Sequence, residues 1–213
     1  MIGPTNCCSA SRNKAELRRI QVVDAARKLF IENGFHATGI AQIAKESGVA
    51  VGQLYRDFSA KEDIVAAICN VDCRNFMAAG PLRLAIEQGD EAHVRDWIRQ
   101  FVQPEDDPDD GRLFAEIVAE AARNTRIAAI FRAINDDVRA LMLSALEMLA
   151  PGAAVAERRA GLADAILTMS LGLLHHQLIR PTMDMAPVVA TLTQSIDRDI
   201  DQLRIESRAL ADA

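Results

Sequence analysis

Residues 40–58 read IAQIAKESGVAVGQLYRDF. Two short helices crossing at a turn need a small residue at the crossing, a glycine in the turn and an apolar anchor on the second helix. Ala44, Gly48 and Leu54 stand at those places, four and six residues apart, and Ile40, Ile43 and Val49 can fill the small core beneath them. Glu46–Ser47–Gly48 is then the turn and Val49–Tyr55 the second helix. Any short helical hairpin satisfies this spacing, so the flanking residues decide. Tyr55, the single tyrosine of the chain, is followed directly by Arg56. Lys61 comes three residues after Phe58, in the first turn of a further helix. Amides left free at such an N-terminus, with a lysine beside them, form a cradle for phosphate. Gly52 leaves the second helix bare where another backbone could approach it closely.

Upstream, Leu17, Ile20, Val23, Ala26 and Phe30 recur at steps of three and four, a helix closed by Asn33–Gly34. Thr38 can cap the helix that starts near Gly39, and residues 1–12 read as a flexible arm. Downstream, Ser59-Ala60-Lys61-Glu62 has the pattern of a capping box opening a helix to about Ala79, broken by Gly80–Pro81. The periodicity continues through Leu82–Gln88, Glu91–Val102, Arg112–Asn124, Ile127–Leu149, Ala153–Ile179 and Ala186–Ala209. The loop Pro104–Gly111 carries five acids and two prolines, without the spacing of a calcium loop. No run alternates apolar and polar residues as a strand would. The expected fold is all-α, with about nine helices.

Composition narrows the function. The 213 residues are half apolar and a quarter charged, which excludes a disordered tail, a collagen-like fibre and a disulfide-dense mini-protein. The net charge of −6 hides an asymmetry: residues 1–61 carry nine basic and five acidic groups, a net +4, and the rest carries −10. All four lysines lie in the first stretch. A basic head on an acidic body points to nucleic acid at one end. The four cysteines, Cys7, Cys8, Cys69 and Cys73, form no C-x-x-C and read as reduced thiols of a cytoplasmic protein. No signal peptide is expected in residues 1–11. The best apolar stretch, Leu162–Ile179, is interrupted by Asp164 and His175–His176, so no membrane partner is expected.

Enzyme readings need a constellation of reactive side chains. His175 and His176 are adjacent on a helix and point about 100° apart, a poor geometry for one metal. Glu116 and Glu120 can pair with Arg112 and Arg123 on a solvated face. No Gly-rich phosphate loop, G-x-S-x-G or H-E-x-x-H is present. Catalytic residues, metal and cofactors are therefore all expected to be absent.

With these residues in view, positions 14–64 resemble the DNA-binding head of the TetR/AcrR family of bacterial transcriptional regulators. The likeness lies in AARKLFIENGFHAT (Ala25–Thr38), Ile43–Ala44, Gly48–Val49, Gly52, Leu54–Tyr55, Phe58 and Lys61–Glu62. Three positions depart from the family pattern. Ala50 stands where Ser or Thr commonly opens the recognition helix, Gln53 replaces a commoner small residue, and Asp57 stands where an aromatic or His often touches phosphate. An acid there must turn away from DNA or pair with Arg56.

The resemblance implies a DNA-binding domain over residues 13–60 and a helical effector-binding and dimerisation domain over 61–213. It implies base reading by Gln42, Val51 and Gln53, close approach at Gly52, and phosphate contacts from Thr38, Tyr55, Arg56 and Lys61. The bland alternatives are a core tyrosine with its hydroxyl at the surface and an ordinary exposed Gln42. The implied partners are double-stranded DNA bearing an inverted-repeat operator, a second copy of the chain in a homodimer, and a small-molecule effector. Trp97, Phe101, Phe114, Met142, Met169 and His175 are the residues expected to line the effector site, apolar and adaptable with one polar anchor.

The helix over Ala153–Ile179 is apolar on two stripes, so it must pack on two sides. Leu162, Ile166 and Leu173, with Leu192 and Ile196 from the last helix, are the residues expected at the dimer interface. The function expected is a ligand-released repressor. The alternatives are a DNA-binding regulator controlled by abundance or a protein partner, and a helical enzyme or scaffold.

Overall fold

Periodicity of three and four residues becomes helix along the chain. The computed structural model describes residues 7–77, 79–104 and 108–211, and among them every regular element is helical. The α-helices are α1 (Cys7–Asn33), α2 (Ile40–Ser47), α3 (Val51–Asp57), α4 (Lys61–Met77), α5 (Ala79–Gln88), α6 (Glu91–Arg99), α7 (Pro108–Ala121), α8 (Thr125–Leu149), α9 (Ala156–Ile179) and α10 (Ala186–Ala211). Short 3-10 turns follow α6 (Gln100–Val102) and precede α9 (Ala153–Val155). Ten helices are described, where about nine were expected.

Several boundaries differ from the expectation, three of them for reasons local chemistry supplies. Helix α1 begins at Cys7, so half of the expected arm is helical, and Met1–Asn6 lie outside the described residues. Gly80 and Pro81 sit in the first turn of α5 rather than between helices; a proline there removes no helical hydrogen bond. Helix α7 starts at Pro108, with Asp109 and Asp110 in its first turn, the placement that favours a fixed φ and complements the helix dipole. The rest of the acidic loop, residues 105–107, lies outside the described residues.

The chain forms two compact units. The first joins Met1–Cys73 with Arg112–Arg132. Its core holds Val22, Ala26, Phe30, Ile43, Leu54 and Phe58, and also Leu113, Ile117 and Ile127, so the helical hairpin packs on more chain than residues 13–60. The second joins Arg74–Gly111 with Ala133–Ala213, around Leu82, Val94, Ile98, Met142, Leu146, Ile166, Ile196 and Ile200. Burial of such side chains contributes roughly 1.5–3 kcal/mol each. The Trp97 indole N–H donates to the Met77 carbonyl at 2.6 Å, and its ring meets Phe101 edge-on at 4.9 Å. Arg99 binds Asp197 through a fork of 3.0–3.2 Å contacts joining α6 to α10. Arg159, almost fully buried, donates to the carbonyls of Ala150 (2.8 Å) and Gly152 (2.7 Å), satisfying the turn between α8 and α9.

The residues expected at the dimer interface are used differently. Ile166 and Ile196 are fully buried in this subunit's own core and Leu173 nearly so, with Leu162 and Leu192 packed against the same residues. Both apolar stripes of α9 turn inward, Ile166 and Leu173 on one and Ala163 and Leu167 on the other, so the face left uncovered is a third one. The uncovered face carries Gly161, Thr168, Leu171, Gly172, His175 and Ile179. By length and mean hydropathy (1.2 over eighteen residues), Ala153–Ile179 reaches what a membrane-crossing helix needs, which a count of uninterrupted apolar residues did not reveal. Only 17% of that window is buried. Asp164 within it pairs with Arg139 through 2.5 and 3.0 Å hydrogen bonds.

Candidate nucleic-acid interface

The hairpin forms as its spacing requires. Helix α2 ends at Ser47, and Gly48 takes a left-handed φ of +69°, which a side chain would strain. The Val49 amide then donates back to the Ala44 carbonyl at 3.1 Å, closing the helix end. Ile43, Ala44, Val49 and Leu54 are all buried at the crossing. Helix α3 buries only Leu54, so the rest of its seven residues is surface. Tyr55 is 54% exposed, which rules out a core aromatic, and Val51 and Arg56 are exposed beside it. A Cβ built on Gly52 would meet nothing within 4 Å, leaving the helix backbone approachable.

Lys14, Arg18 and Gln21 of α1 face Gly48–Ala50, Gly52, Gln53 and Arg56 across an open groove. None of its lining side chains is acidic, which suits an anionic partner. The α1 cations were missed from sequence because their place beside α3 depends on tertiary packing.

Asp57 finds a partner other than Arg56. Arg18 grips it bidentately, Nε to Oδ2 at 2.6 Å and Nη2 to Oδ1 at 3.1 Å, and holds its carboxyl below the usual range. Arg19 donates to the Asp57 backbone carbonyl at 2.6 Å and lies over the Phe58 ring at 4.3 Å. Gln53 Nε2 donates to Asp57 Oδ1 at 3.5 Å, and Arg56 donates to Gln53 Oε1.

Three expected contacts are corrected. Thr38 is almost fully buried, and its hydroxyl donates to the carbonyls of Leu29 (3.1 Å) and Gly34 (2.9 Å), so it is turned from any phosphate and caps no helix. Lys61 points inward: its ammonium donates to the carbonyls of Phe35 and Thr38 and sits 3.9 Å over the Phe35 ring. Burial pushes its pKa down. Two of its three ammonium protons are thereby taken by carbonyls. The N-terminus of α4 is capped by Asp63 rather than by Glu62. Asp63 Oδ2 accepts from the amides of Ser59 (3.0 Å) and Ala60 (3.1 Å), and the Ser59 hydroxyl holds this carboxyl below its usual range. Glu62 instead accepts from Asn124 at 3.1 Å. The phosphate cradle expected there is closed by the protein's own carboxylate. Gln42 is exposed at the start of α2, with Oε1 accepting from the Gly39 amide at 2.6 Å.

Helix α7 supplies two further ties. Glu116 accepts from the Phe35 amide at 2.8 Å. Glu120 is 2% exposed, not solvated, with Oε2 2.7 Å from His36 Nε2 and 3.5 Å from Arg123, ion-pair distances without hydrogen-bond alignment.

The residues expected around an effector separate. Trp97, Phe101 and Met142 are buried, and Met169 partly so, in the second unit's core. Phe114 belongs to the first unit, where its ring meets Phe131 at 5.4 Å. His175 is exposed and carries no buried polar contact.

With this geometry established, similarity to known proteins can be set beside it. Residues 22–68 match the profile of bacterial regulatory proteins, tetR family, and residues 91–201, just over half of the chain, match that of the BetI-type transcriptional repressor, C-terminal. The HTH-type transcriptional regulator UidR of Escherichia coli K12 is 31% identical over 123 residues, 57% of this chain and 60% of UidR. The alignment thus spans less than two thirds of that relative. A fatty acid metabolism regulator protein of Bacillus subtilis is 43% identical over 49 residues, 23% of this chain and 25% of that one. Among solved structures, a putative transcriptional regulator from Pseudomonas aeruginosa PAO1 superposes with a TM-score of 0.70 at 18% identity, covering 91% of this chain and 94% of that one. Salmonella enterica GusR gives 0.64 at 20% identity, covering 86% and 95%.

Proposed function

The chain belongs to the TetR family of bacterial regulatory proteins, and from that premise we propose that it is a sequence-specific DNA-binding repressor of the cytoplasm, released from its operator by a small hydrophobic or amphipathic ligand. The observation that carries the DNA reading is the groove at α3: Lys14 and Arg56 line it together with Arg18, which Asp57 pairs, beside the open face at Gly52. Arg56 and Tyr55 contact phosphates there, and Val51 and Gln53 read base edges in the major groove, with Gln42 beside them. One such helix spans too few base pairs for genomic specificity, so two copies act on an inverted repeat. The uncovered face of α9, with Leu171 and Ile179 48% and 58% exposed, supports a two-fold dimer through that face.

Trp97, Phe101, Met142 and Met169 share one deformable apolar core and are the residues proposed to accept the ligand. The ligand must bind the conformation without DNA more tightly, by a coupling of about 1–3 kcal/mol.

The test is a gel shift with footprinting on the chain's own promoter region. Protection of an inverted repeat that survives competitor DNA is expected. Binding that competitor removes entirely would leave no sequence-specific regulator. A ligand that raises the melting temperature should release the same footprint.

A further inference from the structure

An aspartate in the last turn of a recognition helix is out of place beside phosphate, yet Asp57 is among the most constrained side chains of the head. Its carboxylate is 12% exposed and gripped at both oxygens by Arg18, and its backbone carbonyl is held by Arg19. Arg18 offsets its charge. What remains is an acceptor aimed at Gln53 one helical turn away.

The amide of Gln53 can be oriented in only one way by these neighbours. A carboxylate only accepts hydrogen bonds, so the nitrogen of Gln53 must face Asp57. A guanidinium only donates, so the oxygen must face Arg56. The geometry points to Asp57, locked by Arg18, as a positioning residue that fixes the amide of Gln53 and thereby biases the base it reads toward adenine and against guanine. This rests on the reading of Gln53 as a base-contacting residue.

One amide proton of Gln53 goes to Asp57. The other proton and the oxygen lie side by side, a donor next to an acceptor. Adenine offers the complement in the major groove, N7 accepting and N6 donating. Guanine offers two acceptors, N7 and O6, and would face the amide oxygen with O6. A free glutamine could rotate to relieve that clash; one held by Asp57 loses a hydrogen bond if it does. Arg56 is exposed and can leave the Gln53 oxygen for a phosphate when DNA arrives.

The experiment uses the full chain. Selection from a randomised duplex pool defines the half-site, and the position whose preference collapses in Gln53→Ala is then varied through all four bases, with Kd measured by fluorescence anisotropy. The wild type is expected to prefer adenine over guanine there by about tenfold or more. Asp57→Ala is expected to shrink that ratio to within about threefold while unspecific duplex binds at least as tightly, since Arg18 is freed in the groove. Asp57→Asn keeps one accepting oxygen but turns an NH₂ group on Arg18, which only donates, so its ratio should fall between those of the wild type and Asp57→Ala. Arg18→Leu, which frees Asp57 and removes a groove cation, should weaken all four duplexes and also lose the adenine-to-guanine ratio, and that ratio stands in if Asp57→Ala loses its helical circular dichroism.

A purely structural role for Asp57 would weaken all four duplexes by one factor and leave the ratio intact, which overturns the inference. A wild-type preference for guanine overturns it too. Should Gln53→Ala change no base preference at any position, the base-reading role itself falls and takes this inference with it.

Discussion

Helix α3 has seven residues and buries one of them, whereas α9 has twenty-four and buries four, Arg159, Ala163, Ile166 and Leu173. Both therefore show most of their surface, but for opposite reasons. What α3 exposes beside Val51 is polar, aromatic or bare, and neighbours orient Gln53 there: Asp57 and Arg56 hold it. What α9 leaves open along its uncovered face includes Leu171 and Ile179, large apolar side chains that its own subunit does not cover. On α3 exposure means groups prepared for a polar partner. On α9 it means surface that gains by being covered, about 25 cal/mol for each Å² removed from water.

The contrast can be broken on α9 itself, where two leucines two residues apart should behave oppositely. Leu173→Glu places a charge in the subunit's core and should destabilise the fold by about 3 kcal/mol or more, seen as a much lower melting temperature. Leu171→Glu places the same charge on the uncovered face and should give a folded monomer by sedimentation, with operator binding weakened. A Leu173→Glu protein that melts like wild type, or a Leu171→Glu protein that stays dimeric, would misassign the faces.

The cations of the head offer the same kind of contrast. Lys61→Ala should cost roughly 1–3 kcal/mol in urea unfolding by leaving the Phe35 and Thr38 carbonyls without their donor, while the salt slope of DNA binding stays as it was. Asp63→Asn weakens the cap of α4 by about 1 kcal/mol. Because the folded pKa of Asp63 is depressed, its contribution is present above the ordinary carboxylate pKa and is lost as pH falls through the folded value. Stability of this variant should therefore fall less on acidification than that of the wild type. Arg56→Ala should leave stability unchanged and reduce the salt slope by about one unit.

These expectations show what could be read in sequence. The Ala44–Gly48–Leu54 hairpin was legible because a crossing, a turn and an anchor are local requirements with fixed spacing. The helix stop at Gly34 was legible for the same reason. Arg18–Asp57, 39 residues apart, and Phe35–Glu116, 81 apart, were not, because no local pattern announces a partner that packing brings in. Lys61 misled because a lysine in a first helical turn looks alike whether it points to solvent or to two carbonyls. Glu120 misled because arginines at neighbouring turns gave it a solvated reading. On α9 both apolar stripes are taken up by the subunit's own core, and the uncovered face with Gly161, Leu171, Gly172 and Ile179 is a third one that no apolar stripe announces.

The hydrogen bond from Trp97 to Met77 gives the protein a built-in optical gauge. Met77 ends α4, and its carbonyl is one of those a helix leaves unpaired at its last turn; the indole of the only tryptophan completes it. The ring is 2% exposed and edge-on to Phe101, so its emission should lie at short wavelength. If the last turn of α4 unwinds or lengthens, the carbonyl leaves the indole, water reaches the ring, and the emission moves to the red. The winding state of that helix end can then be followed in solution, without a label, by the colour of one residue.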